Sequence, residues 1–207
     1  MPTVIAIDND VECLTALKTL FSSVSLKFIG FELPSDFFSA YESGALDHTP
    51  PRALLVNLRL PEMSGLHVLE RLISLTLPPP AILVSAHVTV EDTVQAMRLG
   101  AYSVLQKPCT GQVLLNACQA AIKEDVCRRK KMEATLPTFK KLSNLTPREK
   151  EVLDLVLVGN TSKEVAHTLG ISTSTVDNHR MRILEKTGVS SMLELARVLV
   201  LYGPPGL

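Results

Sequence analysis

The sequence predicts an α/β domain, doubly wound around a five-stranded parallel sheet, followed by a small all-α domain of four helices. Three observations lead there. Residues 1–123 alternate short apolar runs with longer amphipathic stretches five times over. Residues 142–207 contain no strand-like run at all. Between them, residues 124–141 carry six basic and three acidic side chains, including Arg128-Arg129-Lys130-Lys131. The expected division is therefore 1–124, a helical basic linker over 125–141, and 142–207.

Each element has its own signal. TVIAI (3–7) is a β-branched run closed by Asp8-Asn9-Asp10, and Val11, Leu14, Leu17, Leu20 and Phe21 then recur at helical spacing. LKFIGFEL (26–33) reads as a strand, and 35–43 as a helix with Phe37, Phe38 and Tyr41 inward. ALLV (53–56) is a buried strand with Asn57 at its carboxyl end, and the loop LRLPEMSG (58–65) follows. Leu66, Leu69, Leu72 and Ile73 share one helix face. After three prolines comes AILV (81–84), ending at Ser85, then a helix over 89–99 stopped by Gly100. SVLQ (103–106) is the last strand, Lys107-Pro108 follow, and a helix starts near Thr110 and is expected to end at Pro137.

Alternating βα units imply a parallel sheet with helices on both faces, wound right-handed. In such folds the working crevice lies beyond the carboxyl ends of the strands. Asp8, Asn57, Ser85 and Lys107 fall at four of those ends.

The second domain is read from its caps. Thr146-Pro147 starts a helix, and Thr161-x-x-Glu164 is a capping box for a short one ended by Gly170. Ser172 or Thr173 caps a third helix ended by Gly188, and a fourth runs over about 191–201 with Leu193, Leu195, Ala196, Leu199 and Val200 apolar. A short helix, the Gly170-Ile171-Ser172 turn and a polar-faced third helix form a helix-turn-helix.

Composition narrows the function. The chain has 207 residues, 21 basic and 21 acidic, which excludes a uniformly basic nucleic-acid binder but not a local basic element. No apolar run approaches the ~18 residues that span a bilayer, and MPTVIAIDND lacks a basic leader. A cytoplasmic protein without membrane contact is expected. Cys13, Cys109, Cys118 and Cys127 have no metal-ligand spacing, and neither do the histidines, so no metal and no cofactor are expected. Tryptophan is absent and aromatics are 4%, which argues against stacking platforms for single strands. No phosphate-binding glycine loop or serine-nucleophile motif appears, and an enzyme is not expected.

Two motif sets then converge. Asp8, the LRLPEMSG loop after Asn57, Ser85 and Lys107-Pro108 resemble a CheY-like receiver domain. LTPREKEVLDLVLVGNTSKEVAHTLGISTSTVDNHRMRILEKTGV (145–189) resembles a LuxR-type helix-turn-helix. Together the chain resembles a two-component response regulator of the NarL/FixJ type. The resemblance implies a transcriptional regulator that binds double-stranded DNA, as a homodimer, with a sensor kinase or another protein as possible partner.

The chain departs from the receiver pattern at three places. Asn57 stands at the phosphoacceptor position, Asn9 at one of the paired acids, and Val104 at the switch aromatic three residues before the lysine. An amide is not a phosphoryl acceptor, and two carboxylates fewer leave a hard cation short of charged oxygens. The resemblance thus implies a receiver that keeps Asp8, Ser85 and Lys107 without being phosphorylated; Asp10 is an alternative acid for the place of Asn9, but it is offset from it by one residue in the turn. Lys107 is expected to pair with Asp8 and to bond the Asn57 carbonyl. Two other readings stay open: a phosphorylation-switched regulator carrying a substituted Asn57, and an interaction adaptor that does not bind DNA.

For the second half, the family pattern puts the 173–187 helix in the major groove. Asp177, Asn178 and Met181 then face bases, with Arg180 and Arg182 nearby. Thr175, His179 and Lys186 are expected to contact phosphate or to pack, and Ser162 and Lys163 to offer an amide and an ammonium to phosphate. Residues 142–207 hold seven basic and seven acidic side chains, so nonspecific affinity should be modest. The basic linker is either a solvated helix end or a phosphate-contacting arm.

Overall fold

The computed structural model describes residues 1–75 and 77–202. It divides into two compact units, Met1–Arg129 and Lys130–Leu207.

The first unit is a five-stranded parallel sheet in the order β2-β1-β3-β4-β5. Its strands are β1 (Thr3–Ile7), β2 (Lys27–Phe31), β3 (Arg52–Asn57), β4 (Ala81–Ser85) and β5 (Ser103–Gln106). The helices are α1 (Val11–Ser22), α2 (Pro34–Glu42), α3 (Gly65–Ile73), α4 (Val90–Arg98) and α5 (Gly111–Leu142). β1, β3 and β4 are buried on both faces, which is why they read as unbroken apolar runs, whereas the edge strand β2 is half-exposed. Successive residues serve opposite faces. Ile5, Ile7, Leu54, Val56 and Leu83 meet α2, α3 and α4 through Phe37, Phe38, Val68, Leu69 and Ala96. Val4, Ala6, Leu55, Ile82 and Val84 meet α1 and α5 through Leu17, Phe21, Leu114 and Cys118. This is the doubly wound architecture read from the alternation.

α5 does not stop at the edge of the first unit, which runs through Arg129. Asp125 is fully buried: its Oδ2 accepts from the Arg52 amide at 2.8 Å and from Arg129 Nε at 2.6 Å. Arg129 also donates to the His48 carbonyl at 2.5 Å, and Arg128 to the Pro78 carbonyl at 3.3 Å. Two of the four arginines and lysines of the basic run therefore pack on the α/β unit, and only Lys130 and Lys131 stay exposed. Nor does Pro137 end the helix, which continues to Leu142. The missing N–H would have served the exposed Glu133 carbonyl, which water can satisfy, and Lys140 and Lys141 suit the carboxyl-terminal turn.

The second unit contains α6 (Pro147–Leu157), α7 (Ser162–Leu169), α8 (Thr173–Thr187) and α9 (Met192–Tyr202). Thr146 and Thr161 each close a capping box, with Glu149 and Glu164, and Ser172 caps α8. Gly170 adopts φ 65°, the left-handed conformation that ends α7 and turns the chain into α8. Val152, Val165, Val176, Ile183 and Leu195 form the core. In α9, Leu195 and Leu199 face that core while Leu193 is exposed, and the Val200 side chain lies outside the described residues.

Candidate receiver pocket and nucleic-acid interface

Register builds the first site. Ile7 pairs with Val56, so Asp8 and Asn57 emerge side by side, and Asn57 pairs with Val84 one residue before Ser85. At the end of β5, the Lys107 amide donates to the Ser85 carbonyl at 2.8 Å. Asp8 is 5% exposed. Its Oδ2 accepts from Lys107 Nζ at 2.7 Å, and its Oδ1 accepts from Asn57 Nδ2 at 3.1 Å and the Asp10 amide at 3.2 Å. Asn57 Nδ2 also reaches Asn9 Oδ1 at 3.3 Å and the Arg59 carbonyl at 3.2 Å. One amide group thus ties the ends of β1 and β3 to the loop after β3.

Gly65 holds that loop close. A Cβ there would lie 2.5 Å from the Asn57 carbonyl oxygen and 2.9 Å from Leu58 Cα. Val104 lies half-buried in β5, against the core beneath α2, α3 and α4.

One expected contact is not made, and one alternative drops out. Asp10 does not serve as a stand-in acid. It caps α1, its Oδ1 accepting from the Glu12 and Cys13 amides at 3.0 and 3.1 Å. Its one-residue offset from Asp8 directs it to the helix amides instead of the pocket. Lys107 bonds Asp8 and, at 3.5 Å, Cys13 Sγ, not the Asn57 carbonyl. The Asp8 charge is the stronger acceptor, and the Asn57 amide presents its nitrogen to this side.

Burial works to lower the Lys107 pKa, but the hydrogen bond and charge of Asp8 outweigh it and hold it above its ordinary value. Burial, reinforced by the Asp8 charge, pushes the Cys13 thiol up, so it stays protonated. A divalent cation does not fit this donor set. It consists of one carboxylate, already in an ion pair, and two amides. Among the described residues no cluster of three histidines, cysteines or carboxylates is placed to hold a metal.

In the second unit, Ser174, Asp177, Asn178, Met181, Arg182 and Glu185 form an exposed stripe along α8 at helical spacing. Ser162, at the start of α7, donates to Asp177 Oδ1 at 2.9 Å and accepts from Arg180 Nη1 at 3.0 Å. This bridge fixes α8 against α7 and aims two side chains of the expected reading face. Lys163 is exposed beside it. Thr175 is half-buried with its hydroxyl 2.7 Å from that of Ser172. His179 is also half-buried, its Nδ1 enclosed with no hydrogen-bond partner among the described residues. Lys186 is engaged elsewhere: its Nζ donates to Glu149 Oε2 at 2.7 Å. Burial works to raise the Glu149 pKa, but Lys186 and the Thr146 cap outweigh it and hold it below its ordinary value.

The sequence reading missed Glu149, although T-x-x-E at 146–149 is a capping-box signal. It also missed Arg148, whose Nη2 donates to the Leu169 carbonyl at 2.7 Å and ties α6 to the end of α7. Cys13, beside Lys107, had no signal in the sequence.

Comparison with known proteins identifies the family of each half of the chain. Residues 4–119 match the response regulator receiver domain, and residues 143–199 match the luxR family of bacterial regulatory proteins. The transcriptional regulatory protein TdiR of Thauera aromatica is 34% identical over 193 residues, covering 93% of this chain and 83% of TdiR. The response regulator TodT of Pseudomonas putida is 34% identical over 192 residues, covering 93% and 82%. The solved response regulator StyR superposes with a TM-score of 0.60 at 31% identity, covering 97% of this chain and 99% of StyR. With its receiver and its LuxR-type helix-turn-helix in this order, the chain belongs to the response regulators that control transcription.

Proposed function

We propose that this regulator binds double-stranded DNA as a homodimer in the cytoplasm, and that its receiver works without aspartyl phosphorylation. The observation that carries the second point is the Asn57 amide in the acceptor position, donating to Asp8 at 3.1 Å. A carboxylate there would be a nucleophile; an amide nitrogen committed to a carboxylate is not one. The receiver then acts as a protein-interaction or dimerisation module, with a sensor kinase or another protein as its partner. On the DNA side, the exposed stripe of α8 supplies Asn178 for adenine, Asp177 for the cytosine amino group and Met181 for apolar base edges. Arg182, Lys163 and the Ser162 region face the backbone, while Lys186, Thr175 and His179 position the helix.

Selection of bound sites from random duplexes, with and without acetyl phosphate and Mg²⁺, tests this. An inverted repeat should be selected, with affinity unchanged by the phosphodonor. Asn178→Ala should cost about 1–3 kcal/mol of discrimination at one base position. A stoichiometric phosphoryl adduct by intact mass refutes the receiver reading. Failure to select any site refutes the DNA reading and favours the adaptor.

A further inference from the structure

A cavity of about 350 Å³ lies between α1, α5 and the sheet. Leu17 and Leu20 from α1 and Leu114 from α5 form its walls, and Leu55 and Val84 its floor. Small residues, Ala6, Ala16 and Gly111, leave the space open. Asp8, Asn57 and Lys107 close one end, and the thiols Cys13 and Cys109 also line it. This volume is within the usual range for a small-molecule site, and an apolar body with a few convergent polar groups is the usual lining.

The polar end specifies the occupant. Lys107 has three N–H donors, and Asp8 and Cys13 take two. The third has no acceptor among the described residues. Asp8 and Lys107 cancel in charge, so an anion would gain little from the lysine and would meet the carboxylate 2.7 Å behind it. A cation would meet the converse arrangement.

We propose that this cavity binds an uncharged, largely apolar small molecule carrying one hydrogen-bond acceptor, with the acceptor on Lys107 Nζ. The molecule sits between α1 and α5 and contacts both, which adds a ligand input to the function proposed above. Nothing in this site depends on DNA binding, so the two stand or fall separately.

The test uses the full-length protein and the uncharged naphthyl ketone Prodan, whose emission shifts to the blue in an apolar site. Saturable binding with a blue shift is expected, displaced by methyl naphthyl ketone and not by naphthoate. Ala16→Trp and Cys109→Trp fill the cavity and should each weaken binding roughly tenfold or more. In the unaltered protein, bound Prodan should slow alkylation of Cys109 while leaving the exposed Cys127 unaffected. No saturable binding, unchanged alkylation of Cys109, or full affinity in both filled variants overturns the proposal. Displacement by naphthoate as effective as by the ketone overturns the uncharged class.

Discussion

Asn57→Asp replaces a nitrogen that donates to Asp8 Oδ1 at 3.1 Å and to Asn9 Oδ1 at 3.3 Å with a charged oxygen facing both. Two carboxylate charges about 4 Å apart repel by about 4 kcal/mol at an effective dielectric constant near 20. The lost hydrogen bond to a charged acceptor adds about 1.5–3 kcal/mol. Lys107, 2.7 Å from Asp8, is then shared between two acids and offsets roughly half, leaving a net loss of about 2–4 kcal/mol. For a unit of this size that lowers the thermal midpoint by about 10 °C. The loss is pH-dependent with a fixed sign. The pair cannot easily ionise twice, so one carboxyl titrates above its unfolded value. The penalty is complete above that raised pKa and fades as the pH falls through it. The assay is thermal unfolding at pH 8 and pH 5, with hydrogen exchange of β1 and β3 peptides to separate this unit from the other. An unchanged or higher midpoint at pH 8 would refute the role given to the amide. Adding Asn9→Asp should lower the midpoint further without Mg²⁺ and make it rise with Mg²⁺. Acetyl phosphate should then modify the double variant at least about tenfold faster than Asn57→Asp alone. Equal rates and equal Mg²⁺ dependence would show that Asn9 is not a defect.

Gly65→Ala puts a methyl 2.5 Å from the Asn57 carbonyl oxygen and should cost about 1–3 kcal/mol, read as faster exchange in the 57–65 loop; wild-type protection there would contradict the close approach. Lys186→Met leaves Glu149, 2% exposed, without its cation, and should destabilise the second unit by about 2 kcal/mol at pH 7 in urea unfolding. Because the Glu149 pKa is held below its ordinary 4.5, the pair's contribution is present above that value and is lost as the pH falls through the lower folded one, so variant and parent should converge in acid. Cys118 is buried, which pushes its thiol up to about 12, so iodoacetamide at pH 8 should label exposed Cys127 first and Cys118 only on unfolding; early labelling of Cys118 would show that α5 opens from the sheet.

The layout of the receiver was legible because each βα unit carries its own signal. Alternation gave the parallel sheet, and the parallel sheet placed Asp8, Asn57, Ser85 and Lys107 at one end. What the sequence hid depends on partners far apart in the chain. Asp125 reads as one acid among basic neighbours, yet it is buried because Arg52, 73 residues earlier, supplies an amide for it. Lys186 reads as one more cation on a DNA-facing helix until Glu149, 37 residues away, claims it. Asp10 is decided at shorter range. A carboxylate three residues past a strand lies close to the first turn of the next helix, and it caps two amides there.

The two asparagines remove repulsion and add hydrogen bonds. With acids at positions 8, 9 and 57, the ends of β1 and β3 would repel, and a cation or a bound phosphate would set the conformation of the loops. Here one amide joins Asp8, Asn9 and the Arg59 carbonyl, and one lysine balances Asp8. The loop after β3 is thus held by hydrogen bonds that need neither ion nor phosphate. Under the function proposed above, the conformational choice open to this receiver passes to contacts that this network leaves free. The proposed ligand site offers one, where Lys107 has a donor to spare in the cavity walled by α1 and α5.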